Sequence, residues 1–357
     1  MQSKKKMIGN AVFLIVIFAV TIYGVFHGED LDKMINAIKQ VNAFWLIPGV
    51  FFALICIWGG SIIIWYLMRS FGICVKKRVC FLFSAVDYFF CYITPSATGG
   101  QPMQIYYMKK ENIPIPVSSV VLMVVTITYK LVLVVTGIGI LIFGRGFTQK
   151  YMTGILPVFY LGLLLNVFCI IFMTMLLFHP VMAEKILVKG MRLLEKLHFM
   201  KKKKERLRKL RDGMQVYRET AAYLSSHKKV IVNVVWITFV QRFMLFAVTW
   251  TVYKAFGLSG TPVWEVILLQ AVISISVDML PFPGGMGISE SLFLRIFPTV
   301  FQSLLLPAMV LSRGIGFYSQ LLFSAVFTAV AQIYYTYRRP DAGVAAGRMQ
   351  QLKKGYK

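Results

Sequence analysis

The chain has 357 residues, 58% of them hydrophobic and 15% charged, with a formal net charge of +25 and a mean hydropathy of +0.70. A soluble domain carries about 25% charged residues, so the composition excludes an ordinary soluble fold and points to an all-α, polytopic membrane protein. The Lys/Arg excess then reads as the positive-inside signal and as contact with anionic head groups, not as a nucleic-acid surface.

Residues 7–26 follow the basic start "MQSKKK" and are too long and poorly cleavable for a signal peptide, so they predict a first span with a cytoplasmic N-terminus. In "HGEDLDKMINAIKQVN", Leu31, Met34, Ile35 and Ile38 recur at helical spacing, which predicts a short interfacial helix on the outer face. Residues 43–68 return the chain to the basic cluster Arg69, Lys76, Lys77 and Arg78.

The next segment, 79–108, is basic at both ends, and its apolar run breaks at "TPSATGGQP". Cytoplasmic ends with a broken middle predict a re-entrant hairpin. Residues 117–143 then cross outward and 151–178 cross back. Between His179 and Lys229 fifteen Lys/Arg face five Asp/Glu, and Ala183, Ile186, Leu187, Leu193, Leu194 and Leu197 form a helical stripe. This linker, 179–229, is expected to be cytoplasmic and amphipathic. Residues 230–255 cross outward. A second hairpin, 263–298, breaks at "LPFPGGMGISE" and opens from outside. Residues 304–337 exceed one span, with a kink or a second short helix expected at Arg313–Gly314, and 340–357 form a basic cytoplasmic tail. Six to eight spans result, in two halves, 1–178 and 230–339.

Both halves thus carry an apolar hairpin broken by proline and Gly-Gly, facing opposite sides. That is the mark of an inverted-topology repeat with a site at mid-membrane. Freed backbone groups at such breaks must face protein or a wet cavity, and a helix starting after a break offers amides and a positive dipole end to an anion. A bend made only for packing is the competing reading.

Charges inside spans are functional candidates. Lys130, Arg242 and Arg313 are the cations; Asp87 and Asp278 precede the two breaks, and Glu290 follows the second. Substrate binding and mutual pairing are both open for these six. Lys254, Glu265 and Arg295 fall near the outer interface. Cys56, Cys74, Cys80, Cys91 and Cys169 form no CxxC, and no disulfide, metal or cofactor is inferred. His27, His179, His198 and His227 lie at edges or loops, which disfavours a membrane-embedded head-group enzyme.

"TPSATGGQPMQIYYM" and "LPFPGGMGISES", with Lys130 between them and "SRGIGFYSQLL" after them, resemble the membrane region of lysylphosphatidylglycerol synthases, the flippase-like domain of multiple peptide resistance factors. The resemblance runs from residue 7 to about 337. It implies a helical carrier for aminoacylated phosphatidylglycerol in a bacterial-type cytoplasmic membrane, linked to antibiotic resistance, with phosphatidylglycerol or its aminoacyl form as partner. By motif, Pro95, Gly99, Gly100 and Pro102 match the first break, and Pro283, Gly284, Gly285, Gly287 and Glu290 the second. Lys130 and Arg313 match basic positions, and Gln101 stands where many relatives carry an acid. Only "PDAGVAAGRMQQLKKGYK" follows Arg339, too short for a tRNA-dependent synthase domain. The expectation is therefore a non-enzymatic lipid flippase or scramblase, served by a separate synthase and possible as a homodimer. Alternatives are a polyprenyl-phosphate-lipid or small-solute carrier, a head-group enzyme, or a scaffold.

Overall fold

The computed structural model describes residues 31–196 and 204–337, and every element among them is helical. The span expected at 7–26 and the tail at 340–357 lie outside the described residues. Five helices there are long and apolar enough to cross a membrane: Ala43–Ser70, Ile115–Phe143, Leu156–Phe178, Lys228–Ala255 and the composite Pro298–Tyr337; Val263–Val277 is apolar but shorter. The chain is a multi-pass membrane protein.

In chain order, α1 is Leu31–Lys39, α2 Leu46–Ser70, α3 Lys77–Ile93, α4 Gly100–Lys110, α5 Ile115–Phe143, α6 Arg145–Tyr151 and α7 Leu156–Phe178. The linker gives α8, Pro180–Lys196, and α9, Lys204–Ser226. Then come α10 Lys228–Ala255, α11 Val263–Val277, α12 Ile288–Ile296, the single turn α13 Pro298–Phe301, α14 Leu305–Arg313 and α15 Ser319–Tyr337. The crossing expected from residue 151 starts later, at Leu156. Pro157 suits a first turn, where its missing N–H costs nothing, and Arg145–Tyr151 is a separate short helix. At Arg313–Gly314, where a kink or a second short helix is expected, a π-helical turn, Gly314–Tyr318, joins the short α14 to α15.

α2 and α10 pack along most of their length. Gly49 faces Thr251, Gly59 faces Gln241, and Asn233 donates to the Tyr66 hydroxyl at 2.8 Å. The partner number falls as the α2 number rises, so the two helices run antiparallel. α3 folds back on α4, and α11 folds back on α12. Each broken hairpin then packs against a long helix of the other half: α3 on α15, and α11 on α5.

Two apolar cores result. One holds Leu67, Val79, Phe83, Met108, Val120 and Val234; the other holds Ala53, Leu133, Phe246, Leu269, Phe293 and Met309. α2, α5 and α10 pass through both. Where they leave one core and enter the other they carry polar residues: Cys56 and Ser61 on α2, Thr126, Thr128 and Lys130 on α5, and Gln241 and Arg242 on α10. Lys130 lies near the middle of a 29-residue helix and Arg242 near the middle of a 28-residue one. At 1.5 Å rise per residue, that is mid-depth in a bilayer. α7 instead turns Leu161, Leu164, Phe168 and Ile171 outward, as a lipid-facing helix does.

The linker does not lie apart from the bundle. Met214, Tyr217, Ala221 and Leu224, at helical spacing on α9, join the first core. Tyr217 donates to the Leu176 carbonyl at 2.9 Å, and Arg218 pairs with Glu184 on α8 at 2.9 Å. Of the stripe expected here, Ala183 is buried while Ile186 and Leu187 are exposed.

Candidate functional site

At the first break, α3 ends at Ile93 and a single turn, Pro95–Ala97, leads to α4. Pro95 ends hydrogen bonding from the preceding helix. Thr94 ties the corner, donating to the Phe90 carbonyl at 2.6 Å and accepting the Gly99 N–H at 2.9 Å. Gly100 is fixed by contact: a Cβ there would sit 2.9 Å from the Asp87 carbonyl oxygen and inside the space of Cys91 Sγ. Ala97 holds φ 53°, a left-handed conformation that a β-carbon disfavours. One residue into α4, Gln101 donates to Thr126 Oγ1 on α5 at 2.6 Å, and Pro102 follows in the first turn.

The second break uses glycine conformation more heavily. Gly284, Gly285 and Gly287 all have positive φ (56°, 67° and 83°), which only glycine adopts freely. At Gly284 a side chain would also run into the Phe317 ring. Pro283 starts the turn Pro283–Gly285, and this turn packs against Pro95–Ala97. The two interruptions, 188 residues apart in sequence (Pro95 to Pro283), therefore meet.

Around the meeting point the charges sort themselves. Asp278, capping α11, accepts from Lys130 Nζ at one oxygen and from Tyr129 Oη at the other. Glu290 accepts Arg313 Nε at 2.7 Å on Oε1, and on Oε2 takes the Gly287 N–H at 2.7 Å and Ser289 Oγ at 3.2 Å. The N–H of Gly287, the residue that caps the start of α12, is thus met by the chain's own carboxylate. Arg313 also reaches the Gly284 carbonyl at 3.2 Å and lies over the Phe317 ring at 4.5 Å. Four of the six candidate charges are accordingly paired.

Arg242 and Asp87 are not paired with each other. Arg242 donates to Tyr88 Oη at 3.0 Å and lies over the Tyr129 ring at 4.3 Å. Asp87 receives a thiol contact from Cys91 at 3.7 Å. Sequence reading missed the neutral partners: Tyr88, Tyr92, Tyr129, Gln241, Gln320 and Phe317. Gln241 and Cys56 hydrogen-bond reciprocally through side chain and backbone, joining α10 to α2; Tyr92 joins Gln320, which bonds the Ala53 carbonyl. Amides in the middle of apolar runs were the available signal, since a buried polar group in a membrane needs a partner.

A cavity of about 220 Å³ opens beside the second break, between Gly154, Val158 and Gly287, Ile288, Ser291 and Arg295. It borders Gly287 and leads toward the end of α12 that carries Arg295. Among the described residues no His, Cys, Asp and Glu group suits a metal ion.

No curated protein matches this chain. Residues 7–324 match the family model described as the lysylphosphatidylglycerol synthase TM region, and on that match across most of its length the chain belongs to this family.

Proposed function

We propose that the protein moves a phospholipid head group between leaflets, with the tails left in the bilayer. The observation carrying this reading is the mid-depth polar layer where two broken hairpins meet between two apolar cores. A polar layer at that depth is costly, and charged residues kept there mark substrate paths. Antiparallel α2 and α10, each followed by a broken hairpin that packs on the other half, are what an inverted repeat built for alternating access requires.

The cargo suited to this layer is an anionic or aminoacylated glycerophospholipid of the lysylphosphatidylglycerol kind, in a bacterial cytoplasmic membrane. The Arg242 guanidinium meets the phosphate, the Asp87 carboxylate meets an aminoacyl ammonium, and the apolar cores flank the tails. In this reading the chain carries lipid and does no group transfer; the described histidines, His179 and His227, only flank helix ends. An aminoacylated cargo would come from a separate synthase.

The test is leaflet exchange of a fluorescent phosphatidylglycerol in vesicles holding the full chain. Exchange at least tenfold above matched empty vesicles supports the proposal; equal rates refute it.

A further inference from the structure

Of the three candidate cations, two are neutralised. Lys130 has Asp278, and Arg313 has Glu290. Arg242 has no carboxylate within ion-pairing distance among the described residues. Its one hydrogen bond there goes to a neutral phenol, Tyr88, and its face lies on a second, Tyr129. Its Nε is buried with no hydrogen-bond partner. A guanidinium carries five N–H donors, and a cation at bilayer depth normally pairs. Arg242 is therefore held but not satisfied.

The holding is specific. Tyr88 Oη donates to the Cys56 carbonyl at 3.1 Å and accepts from both Gln241, at 3.1 Å, and Arg242. Tyr129 is committed to Asp278. Neither phenol can turn away without losing a buried bond, so one edge and one face of the guanidinium are fixed while its remaining donors await an acceptor. Asp87, one residue before Tyr88, lies within electrostatic reach of Arg242 yet beyond ion pairing. A planar donor fork held rigidly, uncompensated and set in low dielectric is suited to a tetrahedral oxyanion.

We propose that Arg242 is a phosphate seat: the anion completing its donor set is a phosphate, supplied by a lipid head group in the path or by free phosphate. This rests on the reading of the layer as a head-group path, but its test does not depend on transport.

The test measures thermal stability of the full chain in lipid-depleted detergent, with phosphatidylglycerol, a phosphate-free glycosyl-diacylglycerol, or inorganic phosphate added. Phosphatidylglycerol should raise the Tm of the wild type by several degrees, as ligand linkage requires, and the glycolipid should not. Arg242→Gln should lose this shift, and Arg242→Lys should keep part of it. Without ligand, R242Q should melt at or above the wild type, because an uncompensated buried charge has been removed. That outcome also shows that the variant folds. A shift with inorganic phosphate equal to that with phosphatidylglycerol assigns the seat to the free ion; a shift with phosphatidylglycerol alone assigns it to lipid. An undiminished phosphatidylglycerol shift in R242Q overturns the proposal, as does a ligand-free loss in R242Q as large as that of a broken ion pair. If wild-type vesicles exchange no lipid while the Arg242-dependent shift persists, the transport reading fails and the seat stands.

Discussion

Lys130, in the middle of α5, and Asp278, at the cap of α11, form an ion pair that ties the first half of the chain to the broken hairpin of the second. Both side chains are nearly buried, at 8% and 12% exposure. Tyr129 adds a second donor to the same carboxylate. The bond holds a helix end that the break at 278–287 leaves without backbone continuation.

Removing one partner strands the other. Lys130→Leu or Asp278→Leu alone should cost about 3–5 kcal/mol, whereas the double substitution should recover most of that loss. Thermal unfolding of the three variants checks it. A loss in the double variant equal to the sum of the two single losses would mean that the pair contributes little.

Gly100 and Gly139 should respond to alanine with opposite signs. A Cβ on Gly100 collides with the Asp87 backbone, while none is crowded at Gly139. Overpacking should cost Gly100→Ala about 1–3 kcal/mol, and Gly139→Ala should gain up to about 1 kcal/mol of helix propensity. Unfolding curves decide, and a neutral Gly100→Ala contradicts the tight hairpin.

Glu290 does two things, and two substitutions separate them. Gln at this position keeps an acceptor for the Gly287 N–H but leaves Arg313 uncompensated; Ala removes both. Glu290→Ala should therefore be less stable than Glu290→Gln by roughly the worth of a helix cap, about 0.5–2 kcal/mol. Equal stabilities would mean that the cap is dispensable.

Tyr217 reports on the docking of α9. Burial pushes its phenol up to about 12 from an ordinary 10.0, so it stays protonated and donates to Leu176. A folded-state value above the unfolded one means stability fully present below about pH 10 and lost as pH rises through about 12. Tyr217→Phe should reduce that alkaline loss and cost about 1 kcal/mol at neutral pH. Proteolysis of the linker followed against pH measures it; an unchanged profile would contradict the docking.

Much of the fold was legible because membrane helices announce themselves by length, and broken ones by proline and glycine in apolar runs. Lys130, Arg242, Arg313, Asp87, Asp278 and Glu290 stood out because charge at that depth is rare. Their pairing was not legible. Lys130 meets Asp278 rather than Asp87 because α5 packs on α11, and hydrophobic periodicity within one helix does not name its neighbour. The capping of α12 by Glu290 was likewise hidden, since the glycines suggested open amides. Tyr88 and Tyr129 read as ordinary membrane aromatics until the structure placed Arg242 between them.

The most direct measurement is photo-crosslinking of a phosphatidylglycerol analogue, reactive at its head group, to the full chain in vesicles, with adducts located by mass spectrometry. If head groups pass where the two breaks meet, adducts will fall within residues 94–101 and 279–290 and near Arg242. Adducts confined to outward-facing positions such as Leu161, Leu164 and Phe168 on α7 would contradict that path.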